Sequence, residues 1–223
     1  MANHIDSVAF FAAELLDQAA REHPNKTAII DKEEELSFSI LNGRVHALAG
    51  HLHSEGIKQS DRVGVLLPNC AAIPLIYFAS QKIGAVSVLL VARLRGKELQ
   101  DVLGDAGLKL LVVHQQLISE VAAVLKELTP LPLWIVQGRG KEAFENRYVA
   151  RPQSALLPQL NAEDDALILY TSGTTGEPKG VVLSYRNLAQ YPRVMTQMGI
   201  TDSSTIRGCI LPMSHIVGPL VCN

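Results

Sequence analysis

The feature that most constrains the fold is a regular alternation of short apolar runs and longer amphipathic stretches between about residue 62 and residue 136. The apolar runs have the length of buried strands, and the stretches between them carry apolar residues at helical spacing. Strands are predicted at residues 62–67, 86–90, 109–113 and 133–136, and helices at residues 71–82, 96–105 and 118–128. Strands that alternate with helices pair in parallel through right-handed crossovers. The sequence therefore predicts an α/β layered domain with mainly parallel sheets and flanking helices.

The region before this alternation is predicted to contain two helices and two short strands. Ser7 is expected to cap a helix that runs to about Arg21, and strands are expected at residues 27–30 and 36–38. A second helix, capped by Ser39, is expected to end at Gly56 with a positive φ.

The region after the alternation begins with residues 137–163, which are polar and are interrupted by prolines, so we expect mostly loop. Strands are then predicted at residues 166–170, 181–183 and 206–211. A helix capped by Ser184 should follow the second of these strands, and Pro192 should kink or break it.

Composition and charge favour a globular domain that acts on small molecules. Hydrophobic residues make up 48% of the 223 residues and charged residues 19%, a balance that supports a sizeable core. The net charge of -2 provides no basic excess for a nucleic-acid backbone. Cys70, Cys209 and Cys222 form no C-x-x-C pair and are odd in number, so we expect free thiols in a reducing compartment, the cytoplasm.

Neither a secretory signal nor a membrane span is predicted. The first residues lack a basic stretch followed by an apolar one. Residues 63–81 are uncharged and approach the length of a membrane span, but Pro68 and Pro74 interrupt them. We interpret this stretch as a buried strand followed by a helix.

A segment rich in glycine and hydroxyl side chains lies between the strands predicted at residues 166–170 and 181–183. It contains Thr171, Ser172, Gly173, Thr174, Thr175, Gly176 and Lys179. Glycines let backbone N–H groups approach phosphate oxygens, hydroxyls donate hydrogen bonds, and lysine supplies a positive charge. Counted from Gly173, Pro178 and Gly180 stand where a Walker A loop requires glycine and a hydroxyl. We therefore interpret the segment as a phosphate loop of a different type; an ordinary surface turn is the alternative.

The run from Leu169 to Gly180, Leu-Tyr-Thr-Ser-Gly-Thr-Thr-Gly-Glu-Pro-Lys-Gly, resembles the signature phosphate loop of the adenylate-forming superfamily. That superfamily includes acyl-CoA synthetases, aryl-CoA ligases, nonribosomal-peptide adenylation domains and beetle luciferases. Further segments that resemble the family, in the same order along the chain, are residues 36–49, 56–69, 84–86 and 211–218. The resemblance covers nearly the whole chain and implies the N-terminal half of the large domain of these enzymes.

The resemblance implies that ATP activates a carboxylic acid, fatty or aryl, to an acyl-adenylate, which then reacts with the thiol of coenzyme A. Mg2+ is expected beside the nucleotide. By matching positions, the hydroxyl residues and the lysine would hold the β- and γ-phosphates while the glycines allow close approach; these residues are Thr171, Ser172, Thr174, Thr175, Lys179, Gly173 and Gly176. His215, in the run from Pro212 to Gly218, would line the acyl pocket and position the acid, and a satisfied core histidine is the alternative.

His46, His51 and His53 could suggest a metal cluster, but on a helix His51 points away from the face that the other two share. We interpret them as a solvated helix face and predict no metal-ligating residue in the chain.

The family elements that bind adenine and ribose, and the small C-terminal domain with its lysine, have no counterpart in the 223 residues. We therefore expect residues 1–223 to form the N-terminal portion of the AMP-binding large domain, with the phosphate loop at residues 170–180. We also expect the chain alone to be inactive and the complete protein to be an acid-CoA ligase. An adenylation domain that loads a carrier protein and a non-catalytic nucleotide-binding fragment remain alternatives.

Overall fold

A computed structural model of the protein describes residues 12–32, 34–128, 130–140, 143–148, 158–172, 178–200, 202 and 204–215. Its first elements are the helix α1 (Ala12–Glu22), the antiparallel strands β1 (Thr27–Asp31) and β2 (Glu34–Ser37), and the helix α2 (Phe38–Ser54). The cap predicted at Ser7 lies outside the described residues.

The N-terminus of α2 differs from the prediction by two residues. Ser37 is the cap, because its hydroxyl oxygen accepts a hydrogen bond from the backbone N–H of Ile40 at 3.3 Å. The prediction of Ser39 was wrong: Ser39 is already helical, and its N–H donates to the carbonyl of Pro24. The predicted end at Gly56 is confirmed, since its φ is +86°.

Strands and helices then alternate as predicted. They are β3 (Arg62–Leu66), α3 (Ala72–Lys82), β4 (Val86–Leu90), α4 (Gly96–Asp105), β5 (Leu108–His114), α5 (Ile118–Leu125) and β6 (Leu133–Val136). The remaining elements are β7 (Asp165–Ser172), β8 (Pro178–Ser184) and α6 (Tyr185–Gln197). Six strands form a sheet in the order β6-β5-β3-β4-β7-β8, which is parallel except for the antiparallel pair β7 and β8.

The sheet lies between two helical layers, and its central strands are buried on both faces. In β5, Leu110 and Val112 pack in the cluster formed with α1, α2 and α3. Leu111 and Val113 pack in the second cluster, which is formed with α4 and α5. Successive side chains of a strand point to opposite faces, so the two clusters lie on the two sides of the sheet. This arrangement confirms the predicted α/β layered domain.

Residues 63–81 form β3 and most of α3, as predicted. Among the described helices, none has the length and apolar character needed to cross a membrane.

The helix predicted at residues 118–128 is shorter than expected. It is preceded by a 3-10 turn at Gln115–Leu117 and ends at Leu125. The N–H groups of Glu127 and Leu128 then bond to carbonyls three residues earlier, at Val124 and Leu125, so the chain tightens into turns.

The loop predicted at residues 137–163 contains a short 3-10 helix, Phe144–Arg147. Phe144 is buried, and its ring centroid lies 6.3 Å from that of Trp134. Phe144 therefore helps to anchor this part of the loop to the core, and Tyr148 packs against the same cluster.

Two predictions for the last third of the chain differ from the structure. The predicted break of α6 at Pro192 is wrong, because the helix continues for five residues beyond it, while a kink there stays a prediction. The helix tolerates the loss of one N–H donor, and the predicted cap at Ser184 is confirmed by a capping box with Asn187. The strand predicted at residues 206–211 is absent, because in the described part of the sheet neither edge strand pairs with this segment. Ile206 and Ile210 are each 92% exposed.

Candidate functional site

The predicted phosphate loop begins and ends within the antiparallel pair of β7 and β8, here called the hairpin. Strands β7 and β8 pair from Asp165 opposite Ser184 to Ser172 opposite Pro178. Thr171, Ser172, Lys179 and Gly180 therefore belong to strands, and the loop predicted from Thr171 to Gly180 was too long. The reason is that the ladder continues through polar residues, which the apolar pattern of the sequence could not indicate.

The middle of the predicted loop, residues 173–177, lies outside the described residues, and of Ser172 only the backbone is described. The predicted residues in this position are Gly173, Thr174, Thr175 and Gly176. Their contacts with phosphate stay predictions.

The hairpin projects from the carboxyl edge of the parallel sheet. Strand β7 runs parallel to β4, and the last residues in register are Leu89 and Leu169. Because β4 ends at Leu90, Thr171 and Ser172 extend past it by about 7 Å. In open α/β sheets, ligands bind at this edge.

Thr171 and Lys179 face the same side of the hairpin, because they are directly opposite each other in the antiparallel pair. Leu169 packs in the cluster with α1, α2 and α3, so the alternation of strand side chains also places Thr171 on that side. Both residues are exposed. No carboxylate of the described residues forms an ion pair with Lys179. The pair thus presents a hydroxyl and a positive charge, a donor set that suits a polyphosphate.

The opposite face of the hairpin is fixed by Tyr170. Its hydroxyl donates a hydrogen bond to Oδ2 of Asp105, in the last turn of α4, at 2.5 Å. Burial, together with this hydrogen bond and the charge of Asp105, raises the pKa of Tyr170, so the phenol stays protonated and remains a donor. The hydrogen bond ties the strand that leads into the loop to the helical layer behind it.

Gly180 is required by the same packing. A Cβ at this position would lie 3.1 Å from Cγ2 of Ile168 and 3.4 Å from Cζ of Tyr170. The glycine therefore lets the Tyr170 ring lie against β8. Tyr170 belongs to the motif but had no role predicted for it, and no sequence signal indicated Asp105.

His215 is the last residue of the described segment 204–215, which contacts the loop after β3. Its backbone N–H donates to the carbonyl of Pro212 at 2.9 Å, which closes a turn. Met213 and Ser214 are buried, but His215 is exposed. The alternative of a buried core histidine is therefore wrong, while the predicted contact with the acid stays a prediction.

Asn69, in the loop after β3, ties this segment to the sheet. Its side chain bonds to the backbone of Leu211 and Met213, in both cases at 2.8 Å. Strand β4 separates β3 from β7, and neighbouring strands are about 4.8 Å apart, so these two strands lie about 10 Å apart across the sheet. The segment with His215 and the hairpin with Lys179 thus adjoin the same edge. Met213 packs in the cluster on the side that Thr171 faces.

The three helical histidines do not converge. Nε2 of His46 lies 3.0 Å from Oδ1 of Asp17 in α1, whereas His53 is exposed. Within the described ranges, no group of three or more His, Cys, Asp or Glu residues is arranged to hold a metal ion.

Comparisons with known proteins show the family of the chain. The sequence model of the family described as "AMP-binding enzyme" matches residues 16–223. The 2-succinylbenzoate-CoA ligase of Bacillus mycoides is 33% identical over 204 residues, which are 91% of this chain and 39% of that protein. The crotonobetaine/carnitine-CoA ligase of Salmonella paratyphi A is 33% identical over 188 residues, 78% of this chain and 36% of that protein.

Solved structures show the same fold. A long-chain-fatty-acid-CoA ligase from Archaeoglobus fulgidus superposes with a TM-score of 0.85 at 28% identity and covers 95% of this chain and 44% of that one. An anthranilate CoA ligase in complex with anthranoyl-AMP superposes with a TM-score of 0.78 at 23% identity, over 88% of this chain and 38% of that one. The chain spans 39% of the length of the first of these curated relatives. Because the family model matches residues 16–223, this chain belongs to the family of AMP-binding enzymes.

Proposed function

We propose that this chain supplies the phosphate-binding part of an ATP-dependent acid-CoA ligase. In the first step a carboxylate oxygen attacks the α-phosphorus of ATP; a new P–O bond forms, and the bond to pyrophosphate breaks. In the second step the thiolate of coenzyme A attacks the acyl carbon, and the C–O bond to AMP breaks. The observation that carries the proposal is the hairpin, which presents Thr171 and Lys179 on one face.

The role of the hairpin is to hold the leaving group. Phosphoryl and nucleotidyl transfer depend on alignment and on donors aimed at the oxygens where negative charge develops. Lys179 would bind the β- and γ-phosphates with its ammonium group. The hydroxyls of Thr171, Ser172, Thr174 and Thr175 would donate to the same oxygens. Gly173 and Gly176 would leave room for backbone N–H groups, and Mg2+, when bound, would neutralise part of the polyphosphate charge.

His215 would act on the acid by position rather than by proton transfer. It is exposed at the end of a turn on the sheet side that Thr171 faces. There the imidazole can line the space next to the reacting carboxylate. Fatty and aryl acids are the proposed substrates, in keeping with the acids named for the related ligases.

The activity is proposed for a protein that carries this chain together with the part of the relatives that the chain does not match. We propose that the 223-residue chain alone does not catalyse adenylation. The test is acid-dependent exchange between ATP and labelled pyrophosphate, measured for the chain and for the longer protein with a panel of fatty and aryl acids. Exchange by the longer protein only is expected. Robust exchange by the isolated chain would contradict the second proposal, and none from the longer protein with any acid would contradict the first.

The residue-level test is Lys179→Ala in the longer protein. Loss of a charge-assisted contact should lower kcat/KM for ATP by about 10- to 100-fold. Lys97→Ala is the matched control, because Lys97 is an exposed lysine on α4 whose pair is Asp101, one turn along the same helix. An unchanged dependence on ATP in Lys179→Ala would refute the role of the lysine. Replacing coenzyme A by a carrier protein as acceptor tests the alternative of an adenylation domain.

A further inference from the structure

The side chain of Asn69 is bonded at both ends of its amide to one distant segment. Nδ2 donates to the carbonyl of Leu211 at 2.8 Å and lies 3.5 Å from the carbonyl of Cys209. Oδ1 accepts from the backbone N–H of Met213 at 2.8 Å. These contacts connect residues that are 140 to 144 positions apart in the sequence.

The amide acts here as a peptide group would in a strand ladder. It offers a donor to a carbonyl and an acceptor to an N–H two residues further along, so both of its polar ends are satisfied at once. Aspartate has the same shape but no donor, and serine is too short to bridge the two groups. The site therefore selects asparagine by its geometry and by its hydrogen-bonding capacity.

The described part of the segment is packed only in places against the core. Met213 is buried and Cys209 is partly buried against the core, but Ile206 and Ile210 are almost fully exposed. No described strand pairs with residues 205–210. The N–H of His215 closes a turn on the carbonyl of Pro212. The bonds from Asn69 reach Leu211 and Met213, so they hold the start of this turn from both sides of Pro212.

We propose that Asn69 is a positioning residue that fixes the turn bearing His215 at the carboxyl edge of the sheet. Its effect on the acid rests on the proposed function, in which His215 lines the acid site. In this proposal Asn69 acts through the turn and not by contact with ATP or the reacting atoms. Its loss should therefore weaken the interaction with the acid while the phosphate side of the site remains intact.

The first experiment measures amide hydrogen exchange at Met213 by NMR in the full 223-residue chain. Removing one hydrogen bond in Asn69→Ala should speed the exchange about fivefold. Asn69→Asp keeps the acceptor for Met213 but loses the donor to Leu211, so it should give an intermediate rate. Asn146→Ala is the matched control, because Asn146 also donates from an exposed side chain to a backbone carbonyl, that of Gly140. Amides of β3 report whether each variant is folded.

The second experiment measures steady-state kinetics of the ligase with the same variants. In Asn69→Ala the KM for the acid should rise about fivefold while the KM for ATP stays within about twofold. In Asn69→Asp the KM for the acid should rise less than in Asn69→Ala, and in Asn146→Ala both KM values should equal those of the unmutated protein.

Each outcome decides the inference. Unchanged exchange at Met213 in Asn69→Ala would overturn it, and so would equal changes in the KM values of acid and ATP, since a merely structural role would disturb both. If the unmutated ligase shows no activity with any acid, the proposed function and the consequence for the acid fall together. The role of Asn69 in fixing the segment would still be decided by the exchange rates.

Discussion

Replacing Asp17 by asparagine should destabilise the domain, because it removes the counter-charge of a buried lysine. The side chain of Lys82 is only 2% exposed, and its Nζ lies 2.7 Å from Oδ2 of Asp17. The other carboxylate oxygen, Oδ1, is 3.0 Å from Nε2 of His46. Asp17 therefore connects α1 to both α2 and α3, and the loss of its charge affects all three helices.

The magnitude follows from the exposure of the two partners. Removing one member of a fully buried ion pair costs about 3–5 kcal/mol. The side chain of Asp17 is 22% exposed, so solvent screens part of the interaction. Asparagine also retains an oxygen that can accept from Nζ. We expect Asp17→Asn to lower the free energy of unfolding by about 2 kcal/mol. With a urea m-value of about 2 kcal/mol/M, the midpoint should fall by about 1 M.

The assay is urea unfolding of the chain, followed by the fluorescence of Trp134, the one tryptophan of the sequence. The control is Lys82→Met, which removes the buried charge and fills the same volume with an apolar side chain. Asp17 would then remain beside His46 and solvent, so the loss should stay below about 1 kcal/mol. The reasoning fails if Lys82→Met costs as much as Asp17→Asn, or if Asp17→Asn leaves the midpoint unchanged.

Three further outcomes are expected. Burial raises the pKa of Asp17, but the hydrogen bond and charge of Lys82 and the bond from His46 outweigh it and hold the pKa below its usual 3.8. The carboxylate therefore stabilises the fold above that pH and loses this effect as the pH falls below it. In an acid titration, the free energy of unfolding should fall less in Asp17→Asn than in the unmutated chain. Gly180→Ala should cost about 1 kcal/mol, because its Cβ would crowd Ile168 and Tyr170, and Tyr170 absorbance should report the change. Ser184→Ala should remove the capping box of α6 and lower the thermal unfolding temperature by an amount equivalent to about 1 kcal/mol, without changing pyrophosphate exchange.

The alternating strands and helices from β3 to β6 were predictable because their apolar patterns in the sequence match the way they are buried in the fold. The bounds of β4, α4 and β6 agree with the prediction to the residue. Parallel strands buried on both faces appear in the sequence as continuous apolar runs, and helices between them show apolar residues at helical spacing. Where a strand becomes polar, as at Thr171 and Ser172, this signal disappears although the ladder continues.

The segment at residues 206–211 shows the limit of such patterns. Its apolar residues favour a strand, but a strand exists only where another strand offers a free edge, and the sequence of one segment does not contain that information. Asn69 and Asp105 were missed for a similar reason. Each forms its decisive contact with a residue at least 65 positions away, and neither belongs to a periodic pattern.

The candidate site follows from the way in which the chain leaves the two central strands. After β3 the chain enters α3, which packs on one face of the sheet, whereas after β4 it enters α4 on the other face. The two connections diverge, and a crevice is expected between the carboxyl ends of the two strands at such a switch point. The loop with Asn69 borders it on the β3 side, and the hairpin of β7 and β8 borders it beyond β4. Under the proposed function, an acid joined to a nucleotide would span this crevice, with the acid near His215 and the phosphates near Lys179. The separation of these two anchors explains why Asn69→Ala is expected to affect the acid, and Lys179→Ala the nucleotide.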